Sequence, residues 1–215
     1  RILLHHLSLG DENLLKSSEL WLCSWCYRCY RRCPQGLELP EIFQTIRKFA
    51  VEHGYLEGFD KSWKIIKENI PLSASCWHVC FHPERALENK QLVTNALVNY
   101  NTEVNEIAPL VPVHEEKVAI IGSGPAGLSA AQDLIKKGYG VTVFESLSSP
   151  GGMLRRCIPR YRLPQKALDL DIKRLTNLGV QIKTNMTLGK NLAITELQRD
   201  YNALFVATGA HEDRT

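Results

Sequence analysis

The chain of 215 residues is 44% hydrophobic and carries a formal charge of +3, enough apolar content for one sizeable core or two small ones. So small a net charge gives no argument for nucleic acid, and no run of about 18 apolar residues offers a membrane span. Seven cysteines, six in metal-like spacings and one left over, fit a reducing, cytoplasmic setting better than a disulfide-stapled secreted domain.

The first feature in chain order is Cys23-x2-Cys26-x2-Cys29-x3-Cys33-Pro34. Three cysteines at that interval wind a short loop around one cluster, and the fourth, followed by proline, commonly ligates another. Thiolates suit the soft iron of a [4Fe–4S] cube. A zinc site is the weaker reading, since it normally wants two C-x2-C pairs separated by a longer loop. Tyr27, Arg28, Tyr30, Arg31 and Arg32 interleave with these cysteines, where they would either raise a cluster potential or dock a redox partner. Residues 41–55 form a predicted helix whose stripe is Ile42, Phe43, Ile46, Phe49 and Ala50, with Pro40 in its first turn and Gly54 as its stop. A second helix is predicted over 59–70 with Trp63, Ile66 and Ile70 inward, ended by Pro71. Cys76-x3-Cys80 follows, a candidate pair for a second cluster shared with Cys33. His78 and His82 beside it are either ligands or, more commonly, bonded to backbone carbonyls. A third helix is predicted over 84–100. Residues 1–100 hold six of the seven cysteines and all four tryptophans, and are expected to be an all-α iron–sulfur domain.

Residues 101–116, with Pro109 and Pro112, read as an extended linker. Beyond them the pattern alternates: strand 117–122, helix 125–137, strand 140–145, helix 165–177, and short strands at 180–184 and 203–207. Such alternation predicts a parallel α/β sheet with covering helices, a Rossmann-like domain over 117–215.

Gly122-Ser123-Gly124-Pro125-Ala126-Gly127 follows the first of these strands and opens its helix, and Glu145 ends the next strand 21 residues after Gly124. That context is what a dinucleotide fingerprint requires. Gly122 permits the tight turn, Gly124 admits a pyrophosphate to the backbone amides, and Gly127 lets helix approach strand. Glu145, with Ser146 beside it, would accept from the adenosine ribose and disfavour a 2′-phosphate. Two later signals point to FAD: the turn Gly151-Gly152-Met153-Leu154, and the strand end Ala207-Thr208-Gly209. Arg155, Arg156, Arg160 and Arg162 crowd the loop after Gly152, either to neutralise a flavin phosphate, for which Arg162 is the candidate, or as a solvated loop. Cys157 among them reads either as a thiol facing the isoalloxazine or, more commonly, as a small packed residue.

These residues carry two resemblances. VAIIGSGPAGLSAA, VTVFE, GGMLRRCIPRYRLP, LGVQIKTNMTLGKNL and LFVATGA, with the upstream Cys76-x3-Cys80-Phe81-His82-Pro83, resemble the glutamate synthase small-subunit family from about residue 70 onward. Where that family continues with two further cysteines at four-residue steps, this chain has Glu84 and Glu88. The segment LSLGDENLLKSSELWLCSWCYRCYRRCPQGLELPEIFQTIRKFAVEHG resembles the iron–sulfur C subunit of heterodisulfide reductases. The resemblances imply FAD, one [4Fe–4S] cluster at Cys23, Cys26, Cys29 and Cys33, and room for a second at Cys76 and Cys80. The family inserts an NAD(P)-binding domain after the A-T-G strand, so these 215 residues are expected to be a fragment or one part of a split protein.

The expected function is an electron-transfer module of an oxidoreductase complex, passing electrons between cluster and FAD. Its partners would be catalytic or NAD(P)H-binding subunits, or partners of heterodisulfide or ferredoxin type. No acid, base or nucleophile constellation points to substrate chemistry within the chain. The alternative is a non-catalytic assembly subunit that keeps cluster and nucleotide as structural ties.

Overall fold

The computed structural model describes residues 5–6, 8–24, 26–83 and 91–210, and the chain divides into two compact units, Arg1–Ala96 and Leu97–Thr215.

The regular structure of the first unit, among its described residues, is helical, with helices α1 (Leu39–Glu52) and α2 (Glu57–Asn69) and several single turns. Its core is aromatic. Trp21 meets Phe59 edge-on at 5.1 Å, Phe59 lies 5.5 Å from Trp77, and Trp77 stacks on Trp63 at 4.2 Å. All four rings are buried, and such pairs contribute about 0.5–1.5 kcal/mol beyond the area they bury. The predicted stripe of α1 is corrected: besides Pro40 in the first turn, the buried positions are Leu39, Phe43, Arg47 and Ala50, while Ile42 and Ile46 are half-buried and Phe49 is exposed. Steps of four, four and three residues keep the buried set on one helical face. Phe49 lies off it and stacks on His53 at 3.9 Å instead. In α2 the expected Trp63 and Ile66 are buried, joined by Phe59, whereas Ile70 is half-buried.

The predicted helix over 84–100 begins outside the described residues. Its described part is α3 (Gln91–Asn105), which runs five residues into the stretch that Pro109 and Pro112 mark as extended. Within the second unit, the buried Tyr100 hydroxyl donates to Asp171 Oδ1 at 3.3 Å, and Asn177 Nδ2 donates to the Val104 carbonyl at 2.8 Å. These bonds make helix of what composition alone assigns to linker. The chain then runs extended, with the Leu110 amide on the Leu178 carbonyl and the Val113 amide on that of Gly138.

Strands β1 (Lys117–Ile121), β2 (Gly140–Phe144), β3 (Gln181–Lys183) and β4 (Ala203–Val206) form one parallel sheet in the order β3-β2-β1-β4. Helices α4 (Pro125–Lys136), α5 (Gln165–Asn177) and α6 (Ile194–Asp200) fill the three crossovers. The unit is therefore Rossmann-like, as the alternation predicts, although α6 was not foreseen. β1 and β2 are buried on both faces because α4 covers one side and the cluster of Leu192, Leu197 and Tyr201 the other. That is the continuous apolar run typical of a central parallel strand. The order reverses at β1, between β2 on one side and β4 on the other, and open α/β sheets bind their ligands outside the carboxyl ends of the strands at such a point.

Candidate cofactor sites

At the carboxyl end of β1 the chain turns at Gly122, whose φ of +104° suits glycine. A Cβ there would lie 2.3 Å from the Ala207 carbonyl oxygen, and one on Gly127 would lie 2.0 Å from that of Gly122. Both positions are therefore closed to any side chain by backbone. Gly124 differs: a Cβ would meet nothing within 4 Å. It is the N-cap of α4, with Pro125 opening the helix. The first helical amides have no carbonyl one turn back, so the open space at Gly124 adjoins oriented donors and the positive end of a helix dipole.

Three further segments meet this loop. Glu145 is buried. Its Oε2 accepts from the Ser123 amide at 3.0 Å and from the Ser123 hydroxyl, and its Oε1 accepts from the Leu147 amide at 2.9 Å and the Ser146 hydroxyl at 3.2 Å. Burial by itself raises the carboxyl's pKa. The Ser123 hydroxyl, the Leu147 and Ser123 amides and the Ser146 hydroxyl outweigh it and hold the group below its ordinary value. The Gly151 amide donates to the Ser123 carbonyl and hydroxyl oxygens, each at 3.1 Å. Gly152, at φ +50°, passes so near the loop that a Cβ would lie 2.9 Å from Gly124 Cα. The Ala207 amide donates to the Ile121 carbonyl at 2.8 Å, setting Thr208 and Gly209 at the end of β4 beside Gly122.

The structure thus brings Gly122 to Gly127, Glu145, Ser146, Gly151, Gly152 and Thr208 into one region. Met153 and Leu154 begin the single turn Met153–Arg156 that leaves it. Arg162 sits half-buried in the next turn, its amide on the Pro159 carbonyl. Arg155 is committed elsewhere, to the Pro150 carbonyl, Gln165 Oε1 and Asp169 Oδ1 at 2.7, 2.6 and 2.6 Å, so it anchors the loop to α5. Cys157 is exposed rather than packed, which corrects the expectation for it.

In the first unit none of the six motif cysteines forms a disulfide; Cys26 and Cys29 are exposed and Cys23, Cys33, Cys76 and Cys80 half-buried. Cys29 lies within the turn Arg28–Arg31, and Cys76 ends the turn Ser73–Cys76, which continues into the π-type turn Trp77–Phe81 that carries Cys80. The Arg28 amide draws the Cys26 thiol below its usual value, helped by Ser24 and by the Arg28 charge. Among the described residues no three His, Cys, Asp or Glu side chains converge as a metal site. Bonds to a metal ordinarily supply that convergence, and the chemistry of the set, six thiols in two short motifs, fits iron. Glu84 and Glu88 lie outside the described residues. His78 and His82 are buried, and burial lowers the His78 imidazole to about 4, neutral at pH 7.

Sequence reasoning missed Arg47. It is 2% exposed, and its guanidinium donates from Nε to the Leu20 carbonyl at 2.8 Å, from Nη2 to that of Cys23 at 3.0 Å, and from Nη1 to that of Phe81 at 3.4 Å. It also lies over the Trp21 ring. Burial lowers it to about 10, opposed by the neighbouring Cys23. A cation four residues after Phe43, in the stripe of Leu39, Phe43 and Ala50, was the signal available.

A loop–helix fingerprint on a parallel sheet is the architecture of dinucleotide-binding domains, and residues 116–215 match the family model of pyridine nucleotide-disulphide oxidoreductases. More particularly, the chain is 34% identical over 199 residues to the NADPH-Fe(3+) oxidoreductase subunit beta of Geobacter sulfurreducens, covering 86% of this chain and 28% of that protein. It is 33% identical over 223 residues to the NAD-dependent dihydropyrimidine dehydrogenase subunit PreT of Escherichia coli, covering 96% and 52%. The expected likeness to glutamate synthase is also found, with 34% identity over 146 residues to the NADPH enzyme's small chain from Bacillus subtilis, covering 67% and 29%. The chain is thus similar to small-subunit oxidoreductases, and spans about a quarter to a half of each relative's length. Among the described residues no helix is long and apolar enough to cross a membrane.

Proposed function

We propose that the chain is the electron-transfer portion of an NAD(P)H-linked oxidoreductase, with FAD on the second unit and at least one [4Fe–4S] cluster on the first. The observation that carries this reading is the meeting of the glycine loop, Glu145 and the Gly151–Gly152 turn around the open space at Gly124. FAD, when bound, supplies exchange between hydride chemistry and single electrons. The chain's own residues hold and orient it. Amides of Ala126 and Gly127 would hold the pyrophosphate, with the open space at Gly124 admitting it. Glu145 takes the ribose hydroxyls by exchanging its bonds to the Ser123 and Ser146 hydroxyls, while its amide donors keep the carboxylate in place. Gly152, Met153 and Leu154, with Thr208 and Gly209, would hold the flavin side of the cofactor, and Arg162 would balance phosphate charge. Cys23, Cys26, Cys29 and Cys33 hold the cluster, and Cys76 and Cys80, with Cys33, are candidates for a second. Partner subunits in a soluble cytoplasmic complex supply donor and acceptor, in keeping with relatives named as subunits.

The test is the visible spectrum of anaerobically purified protein during stepwise reduction, with flavin, iron and sulfide assayed after denaturation. Flavin bands that bleach together with a broad iron–sulfur absorbance are expected. Flavin and iron present but unresponsive to reductant would favour the assembly-subunit alternative, and no flavin at all would overturn the reading.

A further inference from the structure

Arg47 is a buried cation whose partners, among the described residues, are three backbone carbonyls and one indole face, with no carboxylate. Carbonyl dipoles satisfy its donors but leave it without a carboxylate counter-charge among the described residues, and a buried charge is costly enough that proteins rarely keep one without a use. The three carbonyls are not scattered. Cys23 is the first cysteine of the first motif, Leu20 precedes it by one turn, and Phe81 directly follows Cys80 of the second motif. One planar fork, rigid and always charged, therefore ties the backbones of both cysteine motifs to the middle of α1.

Backbone strain points to the same place. Four non-glycine residues among those described have positive φ, and three of them flank the motifs: Tyr27 between Cys26 and Cys29, Leu72 just before Ser73–Cys76, and His82 just after Cys80. Such conformations persist where the surroundings over-determine them, and they gather at functional sites.

We propose that Arg47 is the positioning residue of the cysteine-bearing unit, clamping the two motifs together and supplying the positive charge that an anionic iron–sulfur cluster there compensates. This rests on the reading of the motif cysteines as cluster ligands. Thiolates and sulfides outweigh the charge of the irons, so the site is net anionic, and reduction adds one more negative charge. A fixed cation beside it favours the reduced state and raises the potential. The two roles separate by substitution: Arg47→Lys keeps the charge and loses the fork, while Arg47→Met loses both and keeps much of the volume.

The experiment uses the natural full-length protein that contains this chain, purified anaerobically, with iron content, a redox titration followed by electron paramagnetic resonance, and the rate of iron loss to bathophenanthroline. Arg47→Lys is expected to keep its iron and to hold the one-electron reduction equilibrium within threefold of wild type, while losing iron to the chelator at least threefold faster. Arg47→Met is expected to disfavour reduction at least tenfold, 59 mV toward negative potential. A Lys variant as chelator-resistant as wild type overturns the clamp, and a Lys variant shifted tenfold overturns the charge. A Met variant that holds iron at the wild-type potential overturns the charge equally. Should the Met variant lose its iron outright, the Lys thresholds alone decide. Wild-type protein without iron sinks the cluster reading itself, an outcome distinct from iron-loaded variants that behave as wild type.

Discussion

The two units build their sites in opposite ways. In the second unit the cradle is assembled by the chain itself: Ser123 alone bonds Glu145 and Gly151, and Gly152 lies against Gly124. In the first unit no three of the described His, Cys, Asp or Glu side chains converge as a metal site, and what is organised is the backbone of the cysteine motifs, through Arg47. Backbone amides are fixed wherever strand and helix are fixed, so a site made of them exists before its ligand. Thiolates repel one another, so a site made of them is completed by its metal.

Substitutions can break or sharpen that contrast. The largest effect is expected from Trp77→Ala, which removes the ring stacked on Trp63 and in contact with Phe59. A loss of about 3–5 kcal/mol, read by denaturant unfolding, should fall on the transition of the first unit and spare that of the second. Gly127→Val should cost about 3 kcal/mol or more, because overpacking here meets backbone that cannot yield. Gly124→Val, in the same loop, should leave the unfolding midpoint unchanged and abolish flavin binding, because its side chain enters open space. Flavin fluorescence after denaturation reads that difference, and equal release from Gly124→Val and wild type would remove the loop as the pyrophosphate cradle.

Serine at Cys23, Cys26 or Cys29 should remove about four irons per chain while flavin content stays at the wild-type level. Unchanged iron in all three variants would end the cluster assignment. Glu145→Ala is expected to weaken flavin binding by about 1.5–3 kcal/mol and to loosen the Gly151 turn as well, seen as faster amide exchange there. The smallest effect is on pH. Glu145 lies below its ordinary value of 4.5 in the folded chain, so the stability it contributes is complete above that value. It is lost as pH falls from there through the lowered value. Glu145→Gln should flatten that acid limb of the stability curve, and a limb of unchanged steepness would place its cause in another carboxylate.

The second unit was legible in the sequence almost element by element. Strands β1 and β2 are short, mainly apolar runs, helices α4 and α5 start at a proline and stop before a glycine, and the fingerprint depends on local spacing. What escaped there was α6, a seven-residue helix with Leu197 as its only buried residue, too short to show a period. The network around Ser123 was also unreadable, since it joins residues 22 and 28 positions apart. In the first unit the two long helices were legible but their orientation was not. Counting hydrophobic residues put Phe49 inside and Arg47 outside, whereas carbonyls from sequence-distant segments, 27 and 34 residues away, drew the arginine inward. Long-range polar partners are what periodicity cannot see. The likeness to relatives extends through 96% of the chain, so both kinds of site lie within the compared region.

The most direct measurement is flavin, iron and sulfide per chain in the anaerobically purified full-length protein, taken before and after exhaustive treatment with a chelator. Flavin near one per chain that survives removal of the iron is the expected result, because the cradle stands on backbone and the cysteine site on its metal. Flavin lost in step with iron, or a wild-type protein that carries zinc in place of iron, would contradict it.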